Sequence, residues 1–185
     1  MRRAFHALTA LLLLAGMLLP GARPAGAALA TNSYDGNIYA LYAGNGSLVP
    51  PRSRLDQSLA AHRTAVIIYY LDDCADCKQF SAVVSDLQRS WGNAIDLMPL
   101  VTDPLQGRPD RGTTDPAHYW QGSVPQVVVI DPNGQVVFDG AGQVPVGRLN
   151  QAISQATGIA LPEGAADEND RMVSINELNS EVRSR

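Results

Sequence analysis

The sequence predicts an α/β domain over residues 31–160, a central mixed sheet of about five strands flanked by helices in the order β-α-β-α-β-α-β-β-α. Three observations carry this. Ala65 to Leu71 is β-branched, aromatic and without polar alternation, as expected for a central parallel strand covered on both faces. Phe80, Val83, Val84, Leu87 and Trp91 recur at three and four residues, the spacing of one helix face, and this helix stops near Gly92. Gln126 to Asp131 and Gln135 to Asp139 flank the turn Pro132-Asn133-Gly134 and form an antiparallel pair.

The other elements follow in chain order. Asn37 to Gly44 is short and aromatic-rich and closes on Gly44-Asn45-Gly46-Ser47, so a first strand and a turn are expected there, ended by Pro50-Pro51. Asn45-Gly46-Ser47 also matches a glycosylation acceptor, but a turn accounts for the same residues. Leu55 and Leu59 share a helix face. Ile95 to Val101 reads as a second buried strand in which Pro99 marks an irregular end or an edge position. From Thr102 to about Asp115 runs a polar loop broken by Pro104, Gly107, Pro109 and Gly112, either a cover over part of a site or a surface insertion. Asp115-Pro116 starts a short helix through Trp120. There His118-Tyr119-Trp120 either lines a groove or lies half in the core and half on the surface. Val146, Leu149, Ile153 and Ala156 mark a closing helix ended by Gly158.

The chain's two cysteines fall in Cys74-Ala75-Asp76-Cys77, between the central strand and the periodic helix. A strand that delivers C-x-x-C to a first helical turn sets the first sulfur among unpaired N–H groups and the positive end of the helix dipole, where a thiolate is favoured. The second thiol can then attack a mixed disulfide formed by the first. Two alternatives stay open, a structural disulfide across one turn and two reduced thiols in an apolar site. Zinc would need a second Cys or His pair, and His6, His62 and His118 are scattered singly, so no metal is expected. Nor is any other cofactor. Asp72, Asp73 and Asp76 lack the Gly and Glu of an EF-hand loop. The same acids disfavour ionisation of the neighbouring sulfur, whereas Lys78 and the helix end favour it. If the acids dominate, the couple is reducing or slow rather than strongly oxidising. Asp73 and Asp76 also suit a helix start, where acids stabilise by about 0.3–1 kcal/mol.

Residues 1–30 have a secretory layout: Arg2 and Arg3, an apolar stretch from Ala7 to Leu19, then small residues to Ala28-Leu29-Ala30. The stretch is short for a membrane span, which needs about 20 residues, and an uncleaved amino-terminal anchor is the alternative. Cleavage is expected after Ala30, with Ala25-Gly26-Ala27 as a second acceptable site. The arginine pair also fits a twin-arginine signal, as it fits any positive n-region. Removing these residues takes Arg2, Arg3 and Arg23, so 14 basic side chains become 11 against 18 acidic ones, a charge of −7. An acidic exported body argues against nucleic acid as a partner and is compatible with a disulfide-bonded resting state. Residues 161–185 form a polar, acidic tail in which Met172, Ile175, Leu178 and Val182 recur at helical spacing, either a short docking helix or a disordered end.

With this element order, the dithiol after the second strand and Val124-Pro125 entering the fourth, residues 37–158 resemble the thioredoxin superfamily. The resemblance implies a cis Pro125 facing the C-x-x-C and a Val124 backbone left free to pair with an extended substrate segment. A narrower resemblance rests on Leu41 to Pro51, on Tyr70 to Gln79, and on Val124-Pro125-Gln126 with Gly142-Gln143-Val144-Pro145. These segments are similar to the thioredoxin-like thylakoid membrane factors of cyanobacteria that support photosystem I accumulation. The chain departs from ordinary thioredoxins at Asp73, which stands where an aromatic docking lip is usual, and at Ile68, which stands where a buried acid relays a proton.

The expected function is thiol–disulfide exchange with protein clients, with Cys74 as nucleophile, Cys77 as resolving thiol, Asp73, Asp76 and Lys78 as tuning groups, and Val124 and Pro125 as substrate groove. By resemblance, the clients are photosystem I subunits or their assembly factors, and the address is the thylakoid membrane or lumen, alternatively the periplasm. Membrane association would run through the amino-terminal segment. The rival is a redox-silent assembly factor or chaperone that binds partners through the same groove and the acidic surface.

Overall fold

The computed structural model describes residues 29–161, so the expected leader or anchor and the expected tail helix lie outside the described residues. Asn37 opens the first element with its side-chain oxygen accepting from the backbone N–H groups of Tyr39 and Ala40. The segment anticipated as a first strand is therefore a helix, α1 (Ile38–Tyr42). A cap that satisfies two orphan donors and the burial of Ile38 and Tyr42 four residues apart decide for helix over the strand propensity of Ile and Tyr. Among the described residues the sheet accordingly has four strands rather than about five. The alternating order expected for the chain begins instead with two helices, α1 and α2 (Leu55–Ala60).

After α2 come β1 (Thr64–Tyr70), α3 (Ala75–Trp91), β2 (Ile95–Val101), β3 (Gln126–Ile130), β4 (Val136–Ala141) and α4 (Val146–Thr157), within one or two residues of expectation. The sheet order is β2-β1-β3-β4. Strand β1 pairs parallel with β2 and antiparallel with β3, and β4 returns antiparallel to β3. Because β1 is central, its alternate residues feed two cores. Val66, Ile68 and Tyr70 face α1, α3 and α4. Ala65, Ile67 and Tyr69 face α2 and the loop that carries Leu105, Tyr119 and Trp120.

Strand β2 lies at the sheet edge, which explains Pro99. The Thr102 N–H donates to the Tyr70 carbonyl at 3.1 Å. Amides of alternate residues point to opposite edges of a strand, so Pro99 faces the open side and removes a donor that an incoming strand would have used. The helix α3 ends as expected at Gly92, whose φ of 49° suits a residue without Cβ. At its last residue the buried Trp91 indole N–H donates to Asn150 Oδ1 at 2.8 Å, tying the dithiol helix to α4. Asn150→Leu would leave that N–H unpaired and is expected to cost about 1–3 kcal/mol, read as a lower urea midpoint at unchanged slope.

Candidate functional site

Strand β1 delivers the chain to a tight turn, Leu71-Asp72-Asp73, closed by the Cys74 N–H donating to the Leu71 carbonyl at 3.3 Å. Cys74 is then the N-cap of α3. Its sulfur accepts from the Cys77 N–H at 3.1 Å, and the two cysteines are joined as a disulfide with Cα atoms 5.2 Å apart. The pair is asymmetric: Cys77 is 2% exposed, Cys74 only partly buried. An outer sulfur at a helix start with an inner sulfur behind it is the geometry that successive attack and resolution require.

Two side chains from distant segments hold the peptide groups between the cysteines. Asn32 Oδ1 accepts from the Ala75 N–H at 2.9 Å, and Gln143 Nε2 donates to the Asp76 carbonyl at 2.8 Å. Neither residue was singled out for this role in the sequence. Gln143 at least lies within the Gly142 to Pro145 segment that carries the narrower resemblance, whereas Asn32 precedes every predicted element.

Asp73 and Asp76 are exposed beside the dithiol, as their positions imply. Lys78 is placed otherwise. Its side chain is fully buried and its ammonium is bound to the Thr31 carbonyl at 3.1 Å, to Asp35 Oδ2 at 2.5 Å and to Ser33 Oγ at 3.4 Å. Its ammonium is bound by segment 29–35, which it straps onto the start of α3. Burial pulls the Lys78 pKa down, but the Asp35 hydrogen bond and the neighbouring Tyr42 outweigh it and leave it above its ordinary value. Asp35 is held below the usual carboxylate range by hydrogen bonds from Lys78 and from the Tyr42 hydroxyl at 2.7 Å. A third acid, Asp72, is half-buried and accepts from the Ile38 N–H at 3.1 Å. Burial raises its pKa, and the charges of Asp73 and Asp103 add to the rise against that hydrogen bond.

The Val124–Pro125 peptide bond is cis, as the resemblance implies, and Val49–Pro50 is a second cis bond not anticipated from the sequence. Pro125 enters β3 with its carbonyl accepting from the Gly142 N–H at 2.8 Å. Val124 packs against both cores, and Cys74 against the first of them. A cavity of about 350 Å³ is lined by Leu71, Val124, Trp120, Thr102, Gln106 and Gly107. The loop after β2 thus meets the approach to the dithiol turn, together with Trp120. Tyr119 and Trp120 are half-buried against the second core, with the Trp120 ring 5.3 Å from that of Tyr69, while exposed His118 pairs with Asp110. Gln126 fixes this wall. It is fully buried, donates to the Tyr119 carbonyl and to Asp139 Oδ1, both at 2.9 Å, and accepts from the Gln121 N–H.

A four-stranded mixed sheet with a dithiol at the start of the helix after its central parallel strand, and a cis proline entering the antiparallel strand beside it, defines a thioredoxin-like fold. No family model matches the chain. It is 36% identical over 156 residues to the thylakoid membrane protein slr1796 of Synechocystis sp., covering 84% of this chain and 77% of that one. The chain therefore belongs to the family of that thylakoid membrane protein. Among solved structures it is similar to the exposed lipoprotein thioredoxin of Streptococcus pneumoniae, with 14% identity and a TM-score of 0.43 over 55% of this chain and 95% of that one. It is also similar to the germline-specific thioredoxin Deadhead of Drosophila melanogaster, with 17% identity and a TM-score of 0.36 over 52% and 83%. Among the described residues no helix is long and apolar enough to cross a membrane.

Proposed function

We propose that the protein exchanges disulfides with protein clients at the thylakoid and thereby supports photosystem I accumulation. The observation that carries the chemistry is the asymmetric Cys74–Cys77 pair, its outer sulfur partly open at the N-cap of α3 and its inner sulfur sealed behind it. In the reducing direction the Cys74 thiolate attacks one sulfur of a client disulfide and the client's other sulfur leaves as a thiolate. Cys77, losing its proton, then attacks Cys74 Sγ, which releases the second client thiol and closes the Cys74–Cys77 bond. Two electrons pass to the client, and the protons lost by Cys74 on ionising and by Cys77 on attacking are balanced by protonation of the two client sulfurs. The opposite direction runs the same steps backwards. Val124 and Pro125 supply the backbone beside which an extended client segment would lie, and the cavity at Trp120 and Gln106 receives its side chains. The thylakoid setting rests on the family, the photosystem clients on the resemblance alone.

A redox-silent binding role has one specific observation in its favour, a groove of about 740 Å³ along the open edge of β2, lined chiefly by apolar groups of Val49, Pro50, Leu55, Met98, Leu100 and Leu105. Equilibration with glutathione separates the two. An exchanging protein passes from disulfide to dithiol over a defined range of reduced to oxidised glutathione and returns within minutes. A disulfide that stays closed under those conditions would leave only the binding role.

A further inference from the structure

The N–H group adjoining Cys74 is already occupied. Of the first donors of α3, the Cys77 N–H points to Cys74 Sγ and the Ala75 N–H points to Asn32 Oδ1. Asn32 is exposed, but its neighbours fix it in place. On either side of it the Thr31 carbonyl and the Ser33 hydroxyl bind the buried Lys78 ammonium, Asp35 completes that ion pair, and Leu29 packs against the first core. Three residues of α3's first turn, Cys74, Ala75 and Lys78, therefore either carry the reaction or hold the strap beside it.

We propose that Asn32 is a positioning residue that sets the reduction potential of the Cys74–Cys77 couple, holding it on the reducing side. The proposal rests on the exchange reading above and concerns the same site. A thiolate at Cys74 is stabilised by N–H donors and by the positive end of the helix dipole. Asn32 works against both. Its carbonyl oxygen consumes the helix-start N–H that follows Cys74 in the chain and sets the negative end of an amide dipole beside it. Whatever destabilises the thiolate destabilises the reduced protein relative to the disulfide, and so makes the dithiol a better electron donor. The reaction is the two-electron exchange written above, with glutathione as the second couple. Lys78 enters it only through the strap that carries Asn32.

Asn32→Ala and Asn32→Asp variants of the full chain, each equilibrated with glutathione beside the unaltered protein, test this. The pH dependence of Cys74 alkylation by iodoacetamide is measured in parallel. Asn32→Ala frees the Ala75 N–H and removes the opposing dipole. It is expected to shift the equilibrium about two- to fivefold toward reduced protein and to move the alkylation profile to lower pH. Asn32→Asp replaces the dipole with a full negative charge and is expected to shift both readouts the other way. A strap that merely braces the turn would move both variants in one direction, or neither, and either result overturns the inference while an exchanging wild type preserves the reading it rests on. A wild type that does not exchange with glutathione overturns both.

Discussion

Replacing Cys77 by serine is expected to turn the protein into a trap for its clients. Cys74 alone is open to an incoming sulfur, and Cys77, 2% exposed and one helical turn behind it, is the thiol placed to release what Cys74 captures. Serine fills nearly the same volume, so the first core stays packed around position 77, but its hydroxyl does not attack a disulfide. The mixed disulfide at Cys74 then waits for a thiol from solution. An intramolecular thiol acts at an effective concentration far above that of any added one, so turnover is expected to fall on the order of a hundredfold or more. Client adducts should appear on non-reducing gels and vanish on reduction. Cys74→Ser should show neither adducts nor exchange, because the buried thiol it leaves is out of reach. Adducts carried equally by both variants would mean that the exposure difference does not order the two sulfurs. Their absence from both, with wild-type photosystem levels in cells, would end the catalytic reading.

Those elements whose signals are local were legible in the sequence. Strand β1 declared itself by seven consecutive apolar or β-branched residues, α3 by a repeat of Phe80, Val84, Leu87 and Trp91, and the C-x-x-C between them by position alone. The 37–44 segment misled because Ile and Tyr favour strands in general, whereas the deciding term is a side-chain cap from Asn37 and the docking of α1 on α3. Lys78 misled for a different reason. Its place next to Cys77 suggested a charge near the sulfur, but successive helical residues point about 100° apart, and Lys78 is turned into the space under segment 29–35. Asn32 could not be read at all, and Gln143 was marked only as part of the resembling Gly142 to Pro145 segment, without its role. Each acts across more than forty residues of chain, and nothing in a polar residue's own neighbourhood tells which distant amide it will meet.

That strap yields the second large effect. Asp35→Ala is expected to destabilise the protein more than Lys78→Met, although both delete the same ion pair. The Lys78 side chain is fully buried, whereas the Asp35 side chain keeps 25% of its exposure. Removing the lysine leaves a carboxylate that can turn to water and keep the Tyr42 hydroxyl, while methionine refills the channel of the lysine stem. A loss of about 1–3 kcal/mol is expected, the worth of hydrogen bonds to a charged group. Removing the carboxylate instead leaves the sealed ammonium without the acid it is ion-paired to, the costlier of the two ways to break a buried pair. The pH dependence follows from the two shifts. Asp35 is lowered from 3.8, so its contribution is present above that value and is lost as pH falls through the folded pKa beneath it. Lys78 is raised from 10.5, so its contribution is complete below that value and is lost as pH rises through the folded pKa above it. The strap is therefore expected to hold across the whole neutral range and to loosen in strong acid and in strong alkali, measurable as amide exchange or proteolytic cutting in residues 29–36. Equal losses in the two variants, or a larger one in Lys78→Met, would show that the ammonium has another route to solvent or another partner. Because the strap carries Asn32, Asp35→Ala should also displace the glutathione equilibrium in the direction of Asn32→Ala. An unchanged potential in a protein whose strap has come loose would separate the mechanical role of this segment from its electrostatic one.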